Sequence, residues 1–335
     1  MNLKSLLREL TDSVGIGHLS GIRETVKGYL SPYAEVEETG SLGLIGKLDL
    51  GKEKTILLDA HIDEVGMVVT NVSENGFLTV NNCGGIDLRQ LPAREVVVHG
   101  KEDISGVFIS TPPHLSKEDE KFKDIKKLLI DVGKENAKSV SVGDFVTYKN
   151  HFIELTDTKV SAKSLDNRAG CAVLLALAEK LSSKELPCNI IFLFSDSEEL
   201  GLRGARTSVY SQMPSESIVI DVSFGNAPDV PSSKCGKLGK GAMIGVSPVL
   251  DRNITRTLED IAKKESLPYQ SEVMGSSTGT NADVITVSKS GIKTGLVSIP
   301  LRNMHTDCEI VDIKDIETTV SLLEKYIMAG GINND

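Results

Sequence analysis

The sequence contains no tryptophan, and aromatic residues make up only 4% of its 335 positions. This composition argues against a polysaccharide-binding cleft. The five cysteines are scattered and include no Cys-x-x-Cys pair. Neither a disulfide framework nor a thiolate zinc site is therefore expected, and the thiols are predicted to be ordinary and reduced.

Long apolar runs and clusters of basic residues are also lacking. No segment reaches the roughly 18 apolar residues that a membrane span needs, and the first residues lack the apolar region of a signal peptide. The formal net charge is −10, which argues against nucleic acid or an anionic membrane as a partner. We expect a cytoplasmic protein whose electrostatics favour a small cation.

The pattern of apolar residues predicts a layered α/β sheet, because strands buried on both faces alternate with amphipathic helices. The predicted strands are 54–59, 190–194, 217–220 and 293–299. The predicted helices are 3–14, 21–30, 167–181, 254–264 and 313–329. The length favours one large domain that carries a second, smaller one.

One block does not follow this alternation. From about Val68 to Lys159 the sequence has short alternating strands separated by glycine, proline and charged loops, which predicts an inserted β domain of about 90 residues. The charged run from Lys117 to Lys127 within it is predicted to be a solvated helix or loop.

Polar residues follow several of the predicted buried strands. In open α/β sheets the site lies at the carboxyl ends of the strands, so we expect these residues to meet at one edge. Glu198 and Glu199 come after an apolar strand, and adjacent side chains on an extended backbone point to opposite sides. We therefore expect these two acids to have different tasks. The full set of candidates is His61, Asp63, Asp166, Glu198, Glu199, Asp221 and His305.

Two imidazoles with three or more carboxylates and no thiolate suit zinc, cobalt or manganese. The number of candidate ligands exceeds the needs of one ion, so two ions that share a bridging carboxylate explain it better. Asp63 lies two residues after His61 on the same side of an extended strand. We expect Asp63 to orient the imidazole rather than to bind metal.

Taken together, the motifs resemble those of the tetrahedral or glutamyl aminopeptidase family of dimetal aminopeptidases, and the likeness covers nearly the whole chain. These motifs are Ser20-Gly-Ile-Arg-Glu, His61-Ile-Asp63-Glu-Val-Gly, Ser164-Leu-Asp166-Asn-Arg, Glu198-Glu199-Leu-Gly-Leu-Arg-Gly-Ala, Ile220-Asp221-Val, Gly279-Thr-Asn-Ala-Asp and Met304-His305-Thr.

The resemblance implies a three-layer α/β/α catalytic domain, 1–67 with 161–335, and an inserted small β-barrel domain, 68–160. It implies that Asp166 bridges two ions, that His61 and Asp221 complete one site, and that Glu199 and His305 complete the other. Glu198 would be the general base for a water held between the ions. The implied activity is removal of N-terminal residues from short peptides, and the implied assembly is a dodecamer built from dimers.

Simpler interpretations exist for each residue alone. A Glu-Glu pair often marks a helix start, Asp166 could be an N-cap, and a histidine at a strand end is often structural. Two other functions also stay open. An endoglucanase would need two carboxylates but not His61 and His305, and the chain could be a noncatalytic scaffold that carries metal.

Overall fold

The computed structural model describes residues 1–112, 114–115, 124–228 and 230–332. Most of the charged run 117–127 therefore lies outside the described residues. The α-helices in the described ranges are α1 (Leu3–Asp12), α2 (Gly21–Leu30), α3 (Leu165–Leu181), α4 (Arg203–Gln212), α5 (Arg252–Lys264), α6 (Ala282–Ile285) and α7 (Ile313–Met328). Among the described residues, no helix is long and apolar enough to cross a bilayer.

The main sheet has eight strands in the order β1-β2-β12-β3-β13-β16-β14-β15. Its four central strands are parallel, and they correspond to the four apolar runs predicted as buried strands. The strands of this sheet are β1 (Glu35–Glu38), β2 (Leu44–Leu48), β3 (Thr55–His61), β12 (Asn189–Ser195), β13 (Glu216–Phe224), β14 (Ala242–Val246), β15 (Tyr269–Val273) and β16 (Lys293–Leu301).

Helices cover both faces of this sheet. On one face, Ile56 and Leu58 of β3 belong to a buried cluster with residues of α1, α2, α3, α5 and α7. On the other face, Leu57 belongs to a cluster with residues of α4 and α6. Successive side chains of β3 thus pack into the two cores in turn, as expected for a strand between two helical layers. The arrangement confirms the predicted three-layer α/β/α fold.

The inserted block forms a closed barrel in the order β4-β5-β8-β7-β6-β9, with a hydrophobic core of its own. This confirms the predicted small β-barrel. Its strands are β4 (Gly66–Val72), β5 (Phe77–Cys83), β6 (Glu95–His99), β7 (Asp103–Phe108), β8 (Ile130–Asp131) and β9 (Phe145–Tyr148).

A third sheet has three antiparallel strands. It pairs the segment that follows the barrel with a strand near the end of the chain. Its order is β10-β11-β17, formed by β10 (Ile153–Glu154), β11 (Lys159–Ala162) and β17 (Glu309–Asp312). β10 follows the last barrel strand and pairs with β11. The chain therefore passes through this small sheet between the barrel and α3. The division into 1–67 with 161–335 and 68–160 stays a prediction about independent units.

Candidate metal centre

The predicted site residues converge at the carboxyl ends of the central parallel strands. His61 is the last residue of β3, and Asp221 lies in the final part of β13. Glu198 and Glu199 follow β12, and His305 follows β16. Parallel strands bring their carboxyl ends to one edge of the sheet, which explains why residues so distant in sequence meet here.

Asp166 lies between two histidines. Its Oδ1 is 3.1 Å from His61 Nε2, and its Oδ2 is 3.3 Å from His305 Nε2. Asp166 enters from the start of α3 with non-helical backbone dihedrals, so its side chain points out of the helix toward the strand ends. One carboxylate therefore faces both halves of the site.

Each half of the site has further carboxylate oxygens. His61 Nε2 is 3.8 Å from Asp221 Oδ1, and His305 Nε2 is 3.1 Å from Glu199 Oε1. The ligand atoms of His61, Asp166 and Asp221 all lie within 4.8 Å of one another, as do those of Asp166, Glu199 and His305. These two groups are geometrically able to hold a metal ion each, and they have Asp166 in common.

The backbone at Glu198 and Glu199 does not have the extended conformation expected from the sequence. The two residues lie in a turn after β12, where Glu198 C=O accepts hydrogen bonds from the N–H groups of Gly201 and Leu202. The premise of an extended backbone with opposed side chains is therefore wrong here. Both acids line the same cavity, and they reach His61 from one side.

Asp63 connects the histidine of β3 with the turn after β12. Its carboxylate accepts hydrogen bonds from the backbone N–H groups of Glu198, at 2.9 Å, and Glu199, at 3.1 Å. Asp63 Oδ1 also lies 3.3 Å from His61 Nδ1, a contact without good hydrogen-bond geometry. Asp63 is thus placed to fix both the imidazole and the two glutamates.

Glu309 is a supporting residue that sequence reasoning missed. It is only 1% exposed. Its two oxygens accept hydrogen bonds from the backbone N–H groups of Asp166, at 3.0 Å, and His305, at 2.6 Å. The residue lies at the start of β17, an edge strand, and follows no buried parallel strand. No local pattern in the sequence distinguishes it from an ordinary strand glutamate.

A second buried network lies beneath the site. Lys163 Nζ donates to Glu64 Oε2 at 2.5 Å, and the fully buried Arg168 donates to the backbone carbonyls of Leu10, Ile62 and Ser13. Buried charges persist only when they are paired and hydrogen-bonded. This network joins α1 and α3 to the segment after β3, which carries Asp63.

The acids around the two histidines raise the pKa of both imidazoles. Burial opposes the charged form of His305, but the carboxylates of Asp166 and Glu199 overcome it and raise the pKa of His305 to about 11. Burial likewise opposes charging of His61, yet Asp166 and Asp63 hold its pKa well above the ordinary value. The site thus has a strong preference for positive charge.

The carboxylates show the same preference. Burial, reinforced by neighbouring Glu199 and Asp166, raises the pKa of Glu198 to about 8. Burial and the neighbouring acids also raise the pKa of Asp221 well above its ordinary value. Buried acids crowded in this way are stabilised by cations, and imidazole with carboxylate oxygen is a donor set that suits zinc, cobalt and manganese. The residues fit divalent metal.

A cavity of about 610 Å³ opens over these residues. The two glycines that follow β5 lie against two of the candidate ligands, Glu199 and His305. Gly84 has a positive φ of 83°, and a Cβ atom there would lie 2.9 Å from Val65 Cγ1 and 3.4 Å from Glu199 Oε2. A Cβ atom at Gly85 would lie 3.1 Å from His305 Nδ1. Glycine is therefore needed where the barrel meets the candidate metal ligands.

Comparison with known proteins agrees with this geometry. Residues 43–322 match the family of M42 glutamyl aminopeptidases. The chain belongs to this family. Members of the M42 family are aminopeptidases, and the relatives of this chain support the same activity, so the protein is an aminopeptidase and a hydrolase.

Two solved structures and one curated relative illustrate the similarity. The lysyl aminopeptidase of Pyrococcus furiosus is 30% identical, with 96% of each chain covered. The TET1 peptidase of Pyrococcus horikoshii, described as able to assemble into a tetrahedron or a large octahedral shell, is 32% identical with a TM-score of 0.87, covering 98% of this chain and 99% of its own. A protein described as a putative peptidase/endoglucanase is also 32% identical, with a TM-score of 0.80 and the same two coverages.

Proposed function

We propose that this M42 aminopeptidase removes N-terminal residues from short peptides with the help of two divalent ions. The observation that supports two ions is the position of Asp166, whose two oxygens face His61 and His305 separately. A single ion would leave one of these two histidine and carboxylate groups without a counter-charge.

Asp166 would bridge the two ions. His61 and Asp221 would complete one site, and Glu199 and His305 would complete the other. Zinc or cobalt fits these ligands best, and manganese also fits. When bound, such ions acidify a water molecule so that it is a nucleophile near neutral pH, and they polarise the scissile carbonyl.

Glu198 would be the general base. It lines the cavity beside Glu199, and the assignment of ligands leaves its carboxylate free. One Glu198 oxygen would accept a proton from the attacking water and return it to the leaving amine. Asp63 would maintain this arrangement, because it holds the backbone of both glutamates and lies beside His61 Nδ1.

The acidic edge of the cavity also explains selection of a free N-terminus. A protonated α-amino group is attracted by carboxylates, and a peptide bond inside a chain has no such group to offer. We infer that the α-amino group meets a metal ion or a carboxylate at the rim of the cavity, so that only the first peptide bond reaches the reacting water.

Assembly and location are part of the proposal. A dodecamer built from dimers is consistent with the description of the TET1 peptidase, and the chain has large apolar side chains on its surface, including Val273 at 79% and Val287 at 73% exposure. A cytoplasmic location is consistent with five free cysteines. Sedimentation of the purified protein as a monomer would contradict the assembly.

The experiment that tests the activity is a screen of aminoacyl anilides and cellulose after metal removal and reloading. We expect anilide hydrolysis that is lost with chelator and restored by zinc, cobalt or manganese. Hydrolysis of cellulose with no anilide turnover would favour the endoglucanase alternative. Absence of all peptide cleavage with both ions bound would favour a noncatalytic scaffold.

A further inference from the structure

A half-buried carboxylate outside the metal centre lines the same cavity. Glu272 lies on β15, lines this cavity and belongs to none of the three groups of candidate metal ligands among the described residues. Ser298 Oγ donates a hydrogen bond to Glu272 Oε2 at 2.6 Å, and Ser223 Oγ donates to Oε1. Among the described residues, no Lys, Arg or His nitrogen forms an ion pair with this carboxylate.

The pairing of β13 with β16 indicates the distance between Glu272 and the metal centre. Ser223 follows Asp221 by two residues on β13, and Ser298 of β16 is paired directly with Asp221. Two residues along a strand span about 6.6 Å, and neighbouring strands lie about 4.8 Å apart. Because both serines contact Glu272, its carboxylate lies roughly one side-chain length from the ligands.

Apolar side chains contribute to the lining of the cavity that contains Glu272. Met243 is paired with Ser298, and Met243 and Leu296 both line the cavity. Gly245 is the partner of Glu272 in the neighbouring strand, so no side chain on β14 stands directly beside the carboxylate. The cavity thus offers both apolar side chains and the Glu272 carboxylate, which suits a four-carbon stem that ends in a cation.

The carboxylate keeps capacity for another partner. Each Glu272 oxygen accepts one hydroxyl hydrogen bond and can accept a second. Burial raises the pKa of Glu272, and the hydroxyls of Ser223 and Ser298 oppose that effect. A cation from a substrate would add a charged partner to this half-buried carboxylate.

We propose that Glu272 ends the subsite for the side chain of the N-terminal residue and selects lysine and arginine. The inference rests on the proposed aminopeptidase function. The opposite possibility is selection of acidic residues by Lys234, which also lines the cavity. Lys234 is exposed and lies in a 3₁₀ turn, Ser232–Lys234, so its charge is hydrated, whereas Glu272 is held by two hydroxyls.

The test compares lysyl, arginyl, norleucyl and glutamyl anilides with metal-loaded enzyme. Norleucine has the stem of lysine without the ammonium group, so the ratio of kcat/KM for lysyl over norleucyl substrate isolates the charge. We expect a wild-type ratio well above one, and a fall in this ratio of roughly ten- to a hundredfold in Glu272→Gln, as for loss of a charged hydrogen bond. Glu53→Gln, the same change at an exposed position, is the control and should keep the wild-type ratio.

The outcomes separate the two proposals. A Glu272 that only ties strands together would lower turnover of all substrates alike and leave the ratio unchanged, which would overturn the inference. A wild-type preference for glutamyl substrate, or none for lysyl over norleucyl, would overturn it without any variant. Turnover of the norleucyl anilide would still uphold the aminopeptidase, whereas no turnover of any anilide by metal-loaded enzyme would overturn both.

Discussion

The Glu309 carboxylate accepts a hydrogen bond from the backbone N–H of Asp166 at 3.0 Å, and its other oxygen does the same for His305. One buried side chain on an edge strand thus positions two candidate ligands from different loops. Partners of this kind typically change metal affinity by 10- to 100-fold when they are removed.

We therefore expect Glu309→Ala to weaken metal binding by roughly 10- to 100-fold. Its loss leaves the two backbone N–H groups without an acceptor and frees the loops that carry Asp166 and His305. The affinity is measured by competition with a chromogenic chelator. Glu309→Gln, which keeps one acceptor oxygen, should have a smaller effect, and unchanged affinity in the alanine variant would refute the positioning role.

Glu198→Gln should bind metal nearly normally and lose turnover by roughly 10²- to 10⁴-fold, because an amide cannot accept the proton of the attacking water. Glu199→Gln should instead lose metal first. Metal content by mass spectrometry and kcat are measured on both variants, with Glu53→Gln as the exposed control. Near wild-type turnover in Glu198→Gln would remove its assignment as the base.

Stability without metal should fall as pH rises. The pKa of Glu198 is raised from 4.5 to about 8 and that of His305 from 6.5 to about 11, so both groups hold more protons in the folded than in the unfolded state between these limits. The stabilisation is present at low pH and is lost as pH rises through the folded values. We expect the Tm of chelator-treated protein to decrease from pH 5 to pH 9.

Metal should reverse this trend, since the ligands must lose their protons to bind it. The increase in Tm on adding zinc is therefore expected to grow with pH over the same interval. Scanning fluorimetry at a series of pH values checks both trends. A metal-induced shift that shrinks as pH rises would show that the ligands are not the groups named here.

Arg168→Leu should destabilise the fold by about 3 kcal/mol or more. It leaves three backbone carbonyls without this donor and removes a cation that lies 3.7 Å from the buried Glu64 carboxylate, which keeps its ion pair with Lys163. Urea denaturation measures the change. Arg206→Leu, at an exposed position on α4, is the matched control. A similar small change in both variants would mean that the buried network carries little stability.

The layered fold was predictable because its central strands are apolar along nearly their whole length. Runs such as Ile190 to Phe194 are buried on both faces, and this gives a signal that does not depend on any partner. The helix predicted for 21–30 begins and ends where the structure places α2. Closure of the barrel, by contrast, depends on pairing between distant strands, and only the resemblance to a family indicated it.

The candidate ligands were predictable for a related reason, since His61 and Asp221 lie in the carboxyl-terminal parts of such strands and Glu199 lies in the turn that follows another. Glu309 and Glu272 were not. Both lie on strands at or near a sheet edge, where the sequence pattern is short and mixed, and their contacts are with residues far away in the chain. The turn that contains Glu198 was mistaken for extended backbone, because an acidic pair followed by Leu-Gly does not show where a strand stops.

The two glycines after β5 limit how the barrel could be removed or replaced. Gly84 and Gly85 belong to the barrel side of the chain, yet they lie against Glu199 and His305. The end of β5 thus packs against two of the proposed ligands. A shortened chain without the barrel would lose these contacts, and a barrel grafted from another member would have to bring two small residues to this same point.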